Sequence, residues 1–366
     1  MNKEKELTIP KESAVVLRYL EDYDKTIFSE LFPKPDIFNF ALGSFLGAAI
    51  GDSIGSFLEF SSKPTEKQAK YAMKMPGGGP HRISPGMVTD DTELAIGLAH
   101  GLIDMKGEFN LDSVAYEYGK WVRSSPFDMG MTCSIAMEEA YNSTGPNSMI
   151  TGRMKNSALR SMGSKANGSL MRTTPIAIYG YKLSVEEIAS ISQEESSLSH
   201  VNASCQDSVA AYNIAVSYLI ANPTEEDRNL KAFNLAMKWV LENACEEVKE
   251  WIALAKNKEK VPYTPLIGFV KIAFVHSFRH LLLKTNYYDA IYETVLGGGD
   301  TDTNAAIVGG MLGAYWGMDN IPKELIKISL NCVLREKLKR PEKYNPNQIP
   351  KLVVDLLNCA PEKIKK

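Results

Sequence analysis

The chain has 366 residues, 44% of them hydrophobic and 23% charged, with a formal net charge of −3. A balance so near neutrality gives no electrostatic reason to expect nucleic acid or an acidic membrane surface as a partner. The five cysteines, Cys133, Cys205, Cys245, Cys332 and Cys359, are scattered, odd in number and without CxxC spacing, which predicts buried free thiols in a reducing compartment.

Length alone would allow two domains of ~150 residues each. No linker divides the chain, however, so the reading is an extension over residues 1–38 followed by one large domain over 39–366. The charged start, Met1-Asn2-Lys3-Glu4-Lys5-Glu6, has no apolar stretch behind it and does not read as a signal peptide. No run of ~18 apolar residues predicts a transmembrane helix. The expectation is a soluble, cytoplasmic protein.

In chain order, Lys11 to Leu31 has helical spacing, with Val15, Leu17, Leu20, Tyr23, Ile27 and Leu31 apolar, and Pro33 and Pro35 close it. It predicts either a helix docked on the core or an arm that reaches a partner. Phe38 to Phe60 reads as one helix in which Gly43, Gly47, Gly51 and Gly55 recur on one face. Glycine costs about 1 kcal/mol against alanine inside a helix, so another backbone is expected to approach that face closely. Asp52 and Glu59 lie seven apart in this apolar run. They predict buried supporting or catalytic acids, unless Glu59 merely ends the helix in solvent.

Lys63 to Gly86 reads as a loop, rich in glycine and proline from Pro76 to Pro85 and long enough to suggest a function. A helix follows from Asp90 to about Met105, another from Leu111 to Ser124, and Phe127-Asp128-Met129-Gly130-Met131-Thr132 then leads into a third that runs through Tyr141. Residues 143–174 read as a second long loop. Its stretch Gly163-Ser164-Lys165-Ala166-Asn167-Gly168-Ser169 has the small residues that let backbone amides meet an anionic ligand, although an ordinary surface loop would look the same. From Pro175 onward the pattern is helical, with a Ser184-x-x-Glu187 capping box and His200 just ahead of Ala203–Ala221. His200 reads as a structural histidine or as a ligand to something bound. Further helices are expected over Arg228–Ala255 (as one or a pair), Leu266–Leu283, Tyr288–Leu296, Ala305–Trp316, Lys323–Lys339 and Val353–Leu357. With no alternating strand pattern, the fold class is all-α, a single large orthogonal helical bundle.

Two acidic stretches carry the chemistry. Gly297-Gly298-Gly299-Asp300-Thr301-Asp302-Thr303-Asn304 runs into Ala305-Ala306-Ile307-Val308, and Val88-Thr89-Asp90-Asp91-Thr92-Glu93 runs into Leu94-Ala95-Ile96. Carboxylates at the buried mouth of a helix are costly unless a cation joins them, and the helix dipole offsets only part of that cost. If the fold unites the stretches, Asp90, Asp91, Asp300 and Asp302 form an all-oxygen site. Such a site suits Mg²⁺, Mn²⁺ or Ca²⁺ rather than Zn²⁺, and its charge suits two ions. The competing reading makes Asp90 and Glu93 a capping box and Asp302 a helix cap.

These stretches resemble the ADP-ribosylglycohydrolase family, which includes the dinitrogenase-reductase-activating glycohydrolase of bacteria. The resemblance covers about residues 38–345. It rests on Gly51-Asp52-x-x-Gly55-x-x-x-Glu59, Thr89-Asp90-Asp91-Thr92, Asn167-Gly168-x-x-Met171-Arg172, Ser199-His200 and Gly298-Gly299-Asp300-Thr301-Asp302-Thr303, in the family's order. It implies two Mg²⁺ ions (or Mn²⁺) held by Thr89, Asp90, Asp91, Asp300, Asp302 and Thr303. It also implies an ADP-ribose site lined by Gly130, Gly163, Ser164, Asn167, Gly168 and His200, and a Glu59 that assists catalysis. Lys165-Ala166 departs from relatives that carry an aromatic and a glycine there. The implied activity is hydrolysis of the C1″ bond between ADP-ribose and a protein side chain, with Asp91 or Glu59 as proton shuttle and Asp302 essential. The pattern Thr301, Thr303, Asn304 looks closer to arginine-directed members than to serine-directed ones. Some bacterial members resemble antidotes to ADP-ribosylating toxins, so residues 1–38 could be an occluding arm.

Overall fold

The structure is a computed structural model, and it describes residues 9–22, 35–141 and 149–361. Among these no β-strand forms, and the chain builds helix upon helix, as an all-α bundle requires. The helices are α1 (Lys11–Asp22), α2 (Pro35–Gly55), α3 (Glu66–Ala72), α4 (Asp90–Asp104), α5 (Leu111–Arg123), α6 (Met131–Tyr141), α7 (Ile150–Ala158), α8 (Thr174–Tyr179) and α9 (Val185–Ser196). They continue with α10 (Ala203–Ala221), α11 (Arg228–Asn243), α12 (Glu246–Lys256), α13 (Val270–Leu283), α14 (Tyr287–Gly297), α15 (Thr301–Trp316), α16 (Lys323–Leu330) and α17 (Ile349–Cys359).

The centre of the bundle is the pair α2 and α15, buried on every face. The glycine stripe does what its spacing predicts. A Cβ on Gly43 would lie 2.4 Å from Gly313 O, one on Gly47 2.7 Å from Gly309 O, one on Gly51 2.2 Å from Ala305 O, and one on Gly55 2.3 Å from Thr301 O. The contacts descend α2 as they climb α15, so the helices run antiparallel with their backbones touching. Tyr287 and Ser44 pin the seam through hydrogen bonds to Gly47 O (2.6 Å) and Gly310 O (3.0 Å). By length and composition α2 could cross a membrane, but 83% of its apolar window is buried inside the protein, as befits a core helix.

Several boundaries differ from the sequence reading. Helix α2 stops at Gly55 because Thr301 Oγ1 takes the Gly55 carbonyl (2.6 Å), and a turn carries the chain to Phe60. The 63–86 loop contains α3, started by a Thr65–Gln68 capping box, and the 143–174 stretch contains α7 and a short 3₁₀ turn. Arg228–Ala255 is a pair of helices, and α16 ends at Leu330 rather than Lys339. Of the N-terminal extension, α1 is docked: Val16, Tyr19 and Leu20 are buried, and it packs on α16 and α17. Residues 1–8 and 23–34, including Tyr23, Ile27, Leu31 and Pro33, lie outside the described residues.

Candidate active site

Antiparallel packing of α2 and α15 puts the end of one beside the start of the other. Glu59, in the turn after α2, is thereby brought to Asp300 and Asp302. The turn and the glycine loop are stitched together, Phe60 N donating to Gly299 O (2.9 Å) and Gly299 N to Ser61 O (2.7 Å). Gly298, at φ 74°, leaves no room for a side chain: a Cβ would sit 2.4 Å from Ser61 O.

Asp52 brings in the third element. Its carboxylate accepts from Thr89 N (3.1 Å), Thr89 Oγ1 (3.0 Å), Thr92 N (3.2 Å) and Thr92 Oγ1 (2.5 Å). Helix α4 is therefore capped by an acid from α2, and no side chain of its own caps it. The capping-box reading of Asp90 and Glu93 falls on this observation. Glu93 turns the other way, to Arg340 Nη2 (2.6 Å) and Trp121 Nε1 (2.7 Å). Asp302 does not cap α15 either; Asp300 occupies the cap position without a side-chain cap bond.

A cavity of about 390 Å³ opens where these ends converge. Glu59, Asp90, Asp300, Asp302 and Thr303 line it together with Gly130, Asn167, Gly168 and His200. Asp90 Oδ2 accepts from Gly130 N (3.1 Å) and Asp300 Oδ2 from Asn167 Nδ2 (2.7 Å), so the acids are fastened to the two loops. Thr89 and Asp91 stand behind the wall, where Thr89 Oγ1 lies 2.9 Å from Asp91 Oδ2. Ser164 reaches the site only through Thr132, whose hydroxyl is 2.8 Å away and lines the cavity. Gly163 is exposed and stands apart from it. Glu59 is not a solvent-exposed helix end: it is 8% exposed.

The family model described as ADP-ribosylglycohydrolase matches residues 33–354. The chain belongs to the ADP-ribosylglycohydrolase family. It is 28% identical over 292 residues to the ADP-ribosyl-[dinitrogen reductase] glycohydrolase of Rhodospirillum rubrum, covering 79% of this chain and 89% of that one. It is also 28% identical over 304 residues to the ADP-ribosylarginine hydrolase Tri1 of Serratia proteamaculans, covering 80% and 76%. A solved structure titled "ADP-ribosylglycohydrolase-related protein complex" superposes with a TM-score of 0.67 over 89% of this chain and 99% of that one, at 20% identity. That likeness carries the fold alone.

The electrostatics of this ADP-ribosylglycohydrolase site are one-sided. Burial, then the charge of Asp128, raises the Asp90 carboxyl well above the usual range. Burial, with Glu59, Asp91 and Asp300 nearby, does the same to Asp302, and burial beside Asp52 and Asp90 does it to Asp91. Burial pushes Asp52 up to about 7 and Asp128 to about 6. Among the described residues no lysine or arginine lines the cavity. Asp91 Oδ1 is buried without a hydrogen-bond partner. Orphaned, hard, acidic oxygen beside two helix starts is the donor set a divalent oxygen-seeking cation needs, so these residues fit the ions the family resemblance implies.

His200 is buried, its Nδ1 2.8 Å from Ser199 Oγ, and burial together with Arg172 lowers its pKa to about 3. It is a neutral imidazole with Nε2 unpartnered against the cavity, a group suited to a bound polar ligand. Gly168 makes room for it, since a Cβ there would lie 3.0 Å from His200 Cε1. Sequence reasoning missed Asp128 and His81. His81 Nε2 lies 2.8 Å from Glu59 Oε2 and 3.4 Å from Asp128 Oδ2. The signal for Asp128 was an acid two residues before Gly130; for His81 it was one of only five histidines in the glycine-rich loop. A second cluster, His276, His280 and Glu293, resembles a metal site by spacing. There Arg279 (2.9 Å) and Lys260 (3.1 Å) already occupy Glu293 as cations.

Proposed function

We propose that the protein is a metal-dependent hydrolase that removes mono-ADP-ribose from arginine side chains by cleaving the C1″ glycosidic bond. The observation that carries the reading is the meeting of Asp90, Asp300, Asp302 and Glu59 around one cavity with no lysine or arginine among the described residues that line it. Thr89, Asp90, Asp91, Asp300, Asp302 and Thr303 would hold two Mg²⁺ ions, with Mn²⁺ the alternative. When bound, the ions would supply Lewis acidity and a fixed grip on ribose hydroxyls.

The rest is work for the chain's own residues. Gly130, Asn167 and Gly168, with Ser164 through Thr132, face the wall of acids and would seat the nucleotide portion. His200 Nε2 would hydrogen-bond it as a neutral group. Glu59 lines the cavity, whereas Asp91 is not among its lining residues. Glu59 is therefore the better proton carrier, able to take a proton from the attacking water and return it to the leaving nitrogen. The acidic wall would also stabilise the positive charge that develops on the sugar as the bond breaks. The relative named for ADP-ribosylarginine supports arginine over serine as the linkage.

The test is release of free ADP-ribose from one protein modified on arginine and another modified on serine, with Mg²⁺ and with EDTA. Release from arginine alone, abolished by EDTA, is expected. Release from serine moves the protein to serine- or O-linked substrates, and full activity in EDTA ends the metal reading. A second reading, neutralisation of an ADP-ribosyltransferase toxin, uses the same chemistry. Helix α1 packs on α16 and α17 and contributes nothing to the cavity lining, which favours reversal of the modification over occlusion by that helix.

A further inference from the structure

The glycine-rich loop before α4 has a use that the acid cluster does not exhaust. Gly77, Gly78 and Gly79 all take left-handed φ values, 68°, 88° and 66°. They form a tight reversal in which Gly78 N donates to Ile83 O (2.8 Å) and Ile83 N to Gly78 O (3.1 Å). The reversal is pressed on the turn that carries Glu59: a Cβ on Gly79 would lie 2.3 Å from Ser56 O and 2.9 Å from Phe57 Cα. At its tip stands His81, and Arg335 holds the next carbonyl, that of Arg82. The His81 ring packs 5.6 Å from that of Phe127, the neighbour of Asp128. Glu59 sits in a turn rather than a helix, and His81 is the donor that reaches its carboxylate, Nε2–H to Oε2 at 2.8 Å.

We infer that His81 is a positioning residue: it holds the Glu59 carboxylate at the cavity, and so sets the rate of the step in which Glu59 carries a proton. The inference rests on the hydrolase function proposed above. It requires that the loss of His81 be felt through Glu59 and not through substrate binding or folding.

The experiment is a double-mutant cycle on the full chain with Mg²⁺ and an arginine-modified protein, alongside thermal unfolding of each variant. His81→Phe keeps the ring's bulk against Phe127 and removes the donor, whereas His81→Gln keeps an N–H donor. We expect His81→Phe to lower kcat about 10-fold with KM within about twofold, and His81→Gln to recover most of that loss. In a Glu59→Gln background, His81→Phe should cost nothing further. A spectroscopic readout stands beside activity: the His81 Nε2–H proton should be protected from exchange in the unmodified protein and lose that protection in Glu59→Ala, which removes the acceptor. Wild-type turnover in His81→Phe, losses that multiply in the Glu59→Gln background, or an Nε2–H that exchanges freely beside Glu59 would each overturn the inference while leaving the hydrolase reading intact. An unmodified protein that releases no ADP-ribose from either linkage overturns the hydrolase reading, and this inference with it.

Discussion

Helix α4 touches two buried ionic regions built on opposite plans. Glu93 meets Arg340 through both carboxylate oxygens, at 2.6–3.1 Å. Close by, the wholly buried Arg172 donates to Glu195 (2.8 Å), Ser199 Oγ (2.8 Å) and Gly168 O (3.2 Å), while Tyr118 OH donates to Glu195 (2.5 Å). In the same first turn of α4 as Glu93, Asp90 and Asp91 approach Asp300 and Asp302, and no arginine or lysine is among the described residues that line their cavity. In the first region each guanidinium has its carboxylate, although Glu195 Oε2 is buried without a hydrogen-bond partner, and the network ties the Asn167–Arg172 segment to Ser199 and His200. The second has no such counter-charge among the described residues of its lining, and the ions proposed above would supply one. An acid is informative about function when the protein has buried it and left it without a counter-charge; Glu93, in the same helical turn, shows that acidity alone is not.

The contrast can be broken at its stable end first. Arg172→Ala strips a counter-ion from a fully buried carboxylate, and breaking such a pair costs about 3–5 kcal/mol. Urea or thermal unfolding of the metal-free protein should show a loss of that size, and a change below about 1 kcal/mol would mean that the network is not the scaffold described here. Asp302→Ala acts in the opposite sense on the other region. It relieves repulsion among buried acids, so stability without metal should hold or rise. ADP-ribose release should fall at least about 100-fold, close to 3 kcal/mol in the barrier. A loss of only twofold would remove Asp302 from the site.

The same contrast explains how far the sequence could be read. The glycine stripe at Gly43, Gly47, Gly51 and Gly55 foretold a backbone contact because four unfavourable helix residues on one face need a local reason. It could not name α15 as the partner, since Gly309 and Gly313 carry no label of their own. The acids of both stretches were legible from their excess over what a cap requires. The cap itself was not, because Asp52 reaches α4 from another helix and the bond spans 37 residues of sequence. His81 and Asp128 stayed hidden for a related reason: each is an unremarkable loop residue until the Gly77–Gly79 reversal and the 126–130 loop fold onto Glu59. Short helices inside long polar stretches escaped because too few residues mark them: α3 rests on its Thr65–Gln68 capping box, and α7, which has no side-chain cap, on docking Ile150 and Met154.

The smallest expected effect separates the two regions by titration. In the metal-free protein the folded pKa values of Asp90, Asp91 and Asp302 lie well above 3.8, with Asp128 near 6 and Asp52 near 7. The folded state then binds more protons than the unfolded chain above pH 3.8. The resulting stabilisation is fully present below that value and is lost as pH rises through the folded pKa values. His200, lowered to about 3, works against this trend, because its unfolded form gains a proton as pH falls through 6.5. Measuring each pH with and without Mg²⁺ cancels His200, which is not among the proposed ligands. Near pH 8 the aspartates are poised to lose their protons to the ion, and Mg²⁺ at about 100 times its Kd should raise Tm by about 3–4 °C. Near pH 5 the ion must compete with bound protons, so the gain should shrink by more than half. Arg172→Ala should lower both curves and leave the Mg²⁺ gain intact, whereas Asp302→Ala should erase the gain and spare the baseline. Equal gains at the two pH values would mean that Mg²⁺ binds somewhere other than this wall of buried acids.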